Sequence, residues 1–183
     1  AQLQHTCPTG LLGTHRRWPW DRRWTPRKAV ADLSFGIGKG ECFGLLGVNG
    51  AGKTTIFKSI TADLTPDAGH IVIAGENMST AMEECRRATG YCPQFDALSA
   101  LLTGQEHLEL YGRLQGIGHR DLKHRIADLL HTLELRQYAE VRAGLYSYGN
   151  RRKLSLAVSM IGNRPMLCLD EPGSGLDPHA RRV

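Results

Sequence analysis

Apolar residues along this chain come in short runs and helical stripes, separated by breaks rich in glycine and proline. Glu41–Leu46 is a short, mostly apolar run that leads into glycine, which predicts a buried strand, and Lys53–Ala62 follows as a helix. Thr65-Pro66-Asp67-Ala68-Gly69 has the composition of a turn, and Ile71–Ala74 that of a short strand. Thr80–Thr89 reads as a helix broken by Gly90-Tyr91-Cys92-Pro93. Thr103 then opens a helix with Glu106 three residues on, the spacing of a capping box, and Leu108, Tyr111 and Leu114 form its apolar stripe. Asp121–Leu135 repeats the pattern with Ile126, Leu129, Leu130 and Leu133. Asn150–Gly162 does so with Leu154, Ala157, Val158 and Ile161. Met166–Leu169 is wholly apolar and opens on Asp170, as expected of a central parallel strand. Strands and helices thus alternate near both ends around a helical block at about 95–162. This predicts an α/β core with an inserted helical subdomain.

Residues 1–28 break this order. They are rich in Arg, Trp, Pro and Thr and show no period. The stretch from His15 to Trp24 fits a membrane-surface or nucleic-acid patch, or an irregular terminus, which is the reading adopted. The net charge of +5 permits anionic partners without choosing among them. No apolar run approaches the roughly 20 residues that cross a bilayer, and the first residues lack a signal-peptide pattern. The five cysteines show no CxxC spacing, and Cys42 and Cys168 sit in apolar runs, which points to a reduced compartment.

Between the first predicted strand and helix lies Gly47-Val48-Asn49-Gly50-Ala51-Gly52-Lys53-Thr54, which satisfies GxxxxGK[ST]. Glycines let successive N–H groups turn toward a phosphate, and the helix start adds unpaired N–H groups and a positive dipole end. Lys53 supplies a point charge for the β- and γ-phosphates and the Thr54 hydroxyl a ligand for Mg²⁺. The nucleotide-contacting set expected here is Gly47, Asn49, Gly50, Ala51, Gly52, Lys53, Thr54 and Thr55. The apolar run ending in Asp170-Glu171 supplies the complement. In phosphate-loop proteins such an Asp is a second handle on Mg²⁺, and an adjacent Glu orients or deprotonates the attacking water.

Three further segments carry a family resemblance. Tyr91-Cys92-Pro93-Gln94 resembles the Q-loop of ABC transporter nucleotide-binding domains. Tyr146-Ser147-Tyr148-Gly149-Asn150 with Arg151-Arg152-Lys153-Leu154-Ser155 resembles the signature motif and its helix. Ser174-Gly175-Leu176-Asp177-Pro178 resembles the D-loop. The match runs from about Ala29 onward. The wording of 41–50, 90–98, 101–104 and the signature is most similar to subfamily A, a group associated with lipid transport.

The resemblance implies a P-loop ATPase core with a helical subdomain, dividing the chain into an irregular segment at 1–28 and an ATP-binding domain at 29–183. It implies ATP and Mg²⁺ as cofactors, with Glu171 and Gln94 catalytic and Thr54, Gln94 and Asp170 around the metal. A second cassette, packed head to tail, would meet the γ-phosphate of its partner with Ser147, Gly149 and Asn150. Trp24 is the candidate for stacking on adenine. The partners implied are that second cassette and the transmembrane domains of a transporter, with no nucleic acid. Membrane association is then indirect, at the cytoplasmic face, and the activity is transport-coupled ATP hydrolysis.

The chain also departs from the family. Tyr148 stands where the signature has its first glycine, where a bulky side chain either obstructs closure on a partner's phosphate or points away from it. Gly173 replaces a threonine. The family's switch histidine lies beyond the acidic pair and has no counterpart before Val183, so the core is expected to lack its last strands. A fragment that binds ATP without competent hydrolysis is therefore the alternative. A soluble ABC protein of translation or DNA repair fits the wording less well. A GTPase is disfavoured by the absence of an NKxD motif.

Overall fold

The computed structural model describes residues 29–173. The chain divides after Thr89 into two compact units, each built around its own short elements.

In the first unit, helix α1 (Lys53–Ile60) begins at Gly52, whose φ of 91° is left-handed and stops any helix from continuing upstream. It buries Ile56, Ser59 and Ile60. It ends where Ala62 turns left-handed at φ 60°, short of the predicted Ala62 boundary. Strands β1 (Val72–Ile73) and β2 (Glu76–Asn77) pair antiparallel, with Val72 opposite Asn77 and Ile73 opposite Glu76. Ala74 and Gly75 join them with φ of 53° and 92°. Two positive φ angles give a two-residue loop the twist that a hairpin needs. Helix α2 (Met82–Ala88) packs on this hairpin. It carries Glu83 and Glu84 in its first turn and Arg86 and Arg87 in its last, both favourable to the helix dipole. Cys85 is its buried residue, with its thiol donating to Glu76 O at 3.4 Å.

The predicted strand at 41–46 does not form. The segment has no regular secondary structure and no strand partner among the described residues, and Phe43 and Leu46 are exposed. An apolar run makes a strand only where another strand takes up its N–H and C=O groups. In this segment Phe43 stacks on Phe35, with ring centroids 5.0 Å apart, and Glu41 N donates to Gly38 O at 3.2 Å.

The second unit holds β3 (Thr89–Cys92, which begins at the division), α3 (Gly104–Leu114), α4 (His119–Thr132), α5 (Tyr148–Met160) and β4 (Met166–Leu169). The Thr103 capping box is present. The Thr103 hydroxyl accepts from Glu106 N, and the Glu106 carboxylate accepts from Thr103 N. Helix α4 stops before the predicted Leu135 because Glu134 turns left-handed at φ 57°, and Leu135 N then bonds back to Leu130 O. Helix α5 starts at Tyr148, two residues before the predicted Asn150, because Ser147 caps it. One core joins the three helices: Leu108, Leu122, Ile126, Leu130, Leu154, Ala157 and Ile161 belong to a single buried cluster. Gly112 lets α3 and α4 approach, since a Cβ there would run into Leu122 Cδ1. Strand β4 is paired with β3 alone among the described residues, and Leu167 is 40 % exposed. The central parallel strand expected from its apolar run thus has a single strand neighbour among the described residues.

Candidate functional site

The glycine-rich loop of the first unit is shaped by local turns. Ala51 N donates to Val48 O at 3.1 Å, and Gly50 and Gly52 have φ of 84° and 91°. A Cβ on Gly52 would come within 2.7 Å of the Ala29 carbonyl oxygen, so a glycine is required there twice over. Helix α1 opens directly from this loop with no acidic residue in its first turn, so the positive end of its dipole is uncompensated. The Lys53 ammonium arches back over the loop and donates to Gly47 O at 2.6 Å and Val48 O at 3.2 Å. Asn49, Gly50, Ala51 and Thr54 are exposed around it, while Thr55 is half-buried and accepts the Ser59 hydroxyl at its carbonyl. A left-handed glycine cradle, an open helix start and a lysine held at its mouth suit a phosphate chain.

In the second unit the strand pair sets the geometry. Asp170 N donates to Cys92 O at 3.0 Å, so the residues that follow each strand emerge side by side. The Gln94 amide donates to the Glu171 carboxylate at 3.0 Å, 77 positions away in sequence. Asp170 is buried and Glu171 exposed. Glu171 has a φ of 47° and is followed by Pro172. Left-handed backbone is costly for a non-glycine residue, and proline ordinarily holds its predecessor extended. Cys92, just behind the pair, is buried, and desolvation pushes its thiol pKa up against the lowering effect of its Ser155 contact.

Two supporting side chains had not been singled out from sequence. Arg152 on α5 is 2 % exposed. Its Nε donates to Pro172 O, its Nη1 to Pro93 O and to the Asp96 carboxylate, and its Nη2 to Asp170 O and Glu171 O. The signal was the stripe Arg152, Ser155 and Ser159, whose small hydroxyl residues follow the arginine at helical spacing and are all buried. His107 is the second. Its Nε2 accepts from Ser99 N at 3.0 Å, which makes Nδ1 the donor to Thr103 O at 2.8 Å and fixes the loop that follows the glutamine.

The signature segment forms a capped helix start. The Ser147 hydroxyl accepts from Asn150 N at 3.2 Å, so the Asn150 amide is already satisfied, and Tyr148 is half exposed on the first turn. Trp24 and the 174–178 segment lie outside the described residues. Magnesium takes oxygen ligands and keeps waters and phosphates around it. The Thr54 hydroxyl and the Asp170 carboxylate are each suitable donors by type. Among the described residues no group of three or more His, Cys, Asp or Glu side chains is arranged to hold a metal ion.

The sequence profile of the ABC transporter family matches residues 30–174. Over 159 residues, 87 % of this chain, the sequence is 50 % identical to the human retinal-specific phospholipid-transporting ATPase ABCA4. The chain spans about 7 % of that relative's length. The solved structure of an ATP binding subunit of an ABC transporter superimposes with a TM-score of 0.82 at 28 % identity, over all of this chain and 71 % of the other. The ATP-binding cassette MJ0796, solved as a dimer in a post-hydrolysis state bound to ADP and Pi, gives 0.78 at 22 % identity, over 99 % and 78 %. At that identity the likeness is one of fold.

Proposed function

This chain belongs to the ABC transporter family and is similar to members of its subfamily A, and from that premise we propose that it binds and hydrolyses Mg-ATP to drive a lipid transporter. The observation that carries the reading is the phosphate loop, with left-handed Gly50 and Gly52 leading into an uncompensated helix start and Lys53 held across the loop. The Lys53 ammonium, released from the carbonyls of Gly47 and Val48, would hold the β- and γ-phosphates. The loop from Gly47 to Thr55, Asn49 and Ala51 included, would surround them with N–H donors. When bound, Mg²⁺ would supply charge neutralisation at the phosphates; the groups that would hold it are the Thr54 hydroxyl of the first unit and the Asp170 carboxylate and Gln94 amide of the second.

Glu171 would accept the proton of the attacking water, with Gln94 orienting its carboxylate. Ser147, Gly149 and Asn150 would face the nucleotide of a second cassette, as a helix start meeting an anion. To do so the Ser147 hydroxyl must give up or share its bond to Asn150 N. No helix among the described residues is long and apolar enough to cross a membrane. The partners proposed are a second cassette and the transmembrane domains of a transporter, with the cassette at the cytoplasmic face. The relative that is a phospholipid-transporting ATPase makes lipid the preferred cargo.

The test is titration of the purified chain with Mg-ATP and Mg-GTP beside Lys53→Ala, with phosphate release followed in parallel. Binding of Mg-ATP is expected, weakened about a hundredfold by the substitution, as for a charge-assisted phosphate contact worth about 2–3 kcal/mol. Equal binding by Lys53→Ala removes the proposal. Binding without phosphate release reduces it to a nucleotide-binding module.

A further inference from the structure

Gln94 and Glu171 meet at 3.0 Å, but neither is held by its own element. Gln94 follows the end of β3 in a loop, and Glu171 sits in left-handed backbone just before a proline. Left-handed backbone in a non-glycine residue persists only where the surroundings over-determine it. What surrounds both is one guanidinium. Arg152 grips Pro93 O before the glutamine and the Asp96 carboxylate after it. It also grips the carbonyls of Asp170, Glu171 and Pro172 on the other strand's exit. Each of its three nitrogens is used, and Asp96 supplies the buried counter-charge at 3.3 Å with 7 % of its side chain exposed. A planar fork with fixed donors is the group that can do this; a lysine brings one point of charge.

We infer that Arg152 is a positioning residue that holds the Gln94 amide opposite the Glu171 carboxylate by clamping the main chain on both sides of that pair. The inference rests on the reading of Gln94 and Glu171 as the hydrolytic pair. Arg152 directs these bonds to main-chain carbonyls and to Asp96, not to either reacting side chain. It lies in the signature helix, five positions after the Ser147 cap, so the helix start offered to a second cassette and the pair awaiting water share one rigid element.

Arg152→Lys in the full chain tests this by hydrogen exchange, Mg-ATP affinity and phosphate release. Amide exchange at 93–98 and at 171–173 is expected to rise about tenfold or more, while α3, α4 and the affinity for Mg-ATP stay unchanged. Where the unmodified chain releases phosphate, kcat is expected to fall by about tenfold or more at unchanged KM, the mark of lost alignment rather than lost binding. Asp96→Asn keeps an acceptor, so its loosening is confined to 93–98, and it carries the test should the lysine variant not fold. The inference is overturned if the two loops exchange at the unmodified rate, or if α3 and α4 loosen with them, which would make the arginine a general core support. Glu171→Gln separates this from the premise. If it leaves phosphate release unaltered while Arg152→Lys still frees both loops, the hydrolytic reading fails and the clamp stands.

Discussion

The glycine-rich loop and the glutamine–glutamate pair differ in what holds them. The loop at 47–54 is exposed and kept in shape by near neighbours: a turn from Ala51 to Val48, glycines in left-handed backbone, and a lysine bonded to carbonyls five and six residues back. The pair is assembled from segments 77 residues apart and is held by a buried arginine on a third element. The first is a local device whose residues carry their geometry in their own φ angles. The second exists only because strands β3 and β4 pair and α5 packs beneath them. A local device can be recognised by its spelling, whereas an assembled one depends on the core.

The largest effects should separate these regions. Leu154 is fully buried in the cluster that carries α5, and Leu154→Ala is expected to cost about 2–5 kcal/mol in denaturant unfolding. Leu46, beside the loop, is 93 % exposed, and Leu46→Ala should stay within about 0.5 kcal/mol. Equal costs would show that the loop leans on packing as much as the pair does. Next come two glycines. A Cβ at Gly90 would strike the Ser159 backbone oxygen, so Gly90→Ala is expected to cost about 1–3 kcal/mol by overpacking β3 against α5. Gly52→Ala meets the Ala29 carbonyl and a left-handed φ. Its stability cost should be about 1–2 kcal/mol, with the main loss in Mg-ATP binding. If Gly90→Ala weakened nucleotide binding more than Gly52→Ala did, the division between a local and an assembled device would fail. A smaller effect is expected at the helix caps. Thr103→Ala breaks a full capping box and should cost about 1 kcal/mol. Ser147→Ala removes a single bond to Asn150 N and should cost no more.

The same contrast explains what was legible from sequence. The phosphate loop, the capping box at Thr103 and the helices of the second unit could be read because each is a local pattern of residue types. The strand at 41–46 was misread for the complementary reason: its apolar run states a preference, while strand formation needs a partner. Helix ends were missed at Leu135 and Asn150 because Glu134 takes a left-handed turn without being glycine and Ser147 caps from outside the apolar stripe. Gln94 and Glu171 were named, each from its own motif, but nothing in either motif states that they touch. Arg152 was passed over as one basic residue among three. Its role depends on carbonyl groups, which have no spelling, and in sequence only its place on one helical stripe with Ser155 and Ser159 sets it apart.

The cysteines give the finest test, because they report whether the packing under the pair is as closed as the loop is open. Cys42 is exposed in the segment leading to the phosphate loop, while Cys168 is buried in β4, two residues before Asp170. Burial pushes the Cys168 thiol from 9.0 up to about 12. A thiolate is the reactive form, so at about pH 8 an alkylating reagent should modify Cys42 and leave Cys168 intact until the strand opens. The folded state disfavours the thiolate, so this contribution to stability is fully present below pH 9 and is lost progressively as pH rises from about 9 toward 12. At pH 9 the loss is only about 0.4 kcal/mol, and it steepens above that. Cys168→Ala should flatten this alkaline fall measured by denaturant unfolding. Rapid labelling of Cys168 in the native chain, or an alkaline fall that survives its replacement, would mean that β4 breathes enough to admit solvent. The pair it carries would then be no better held than the loop.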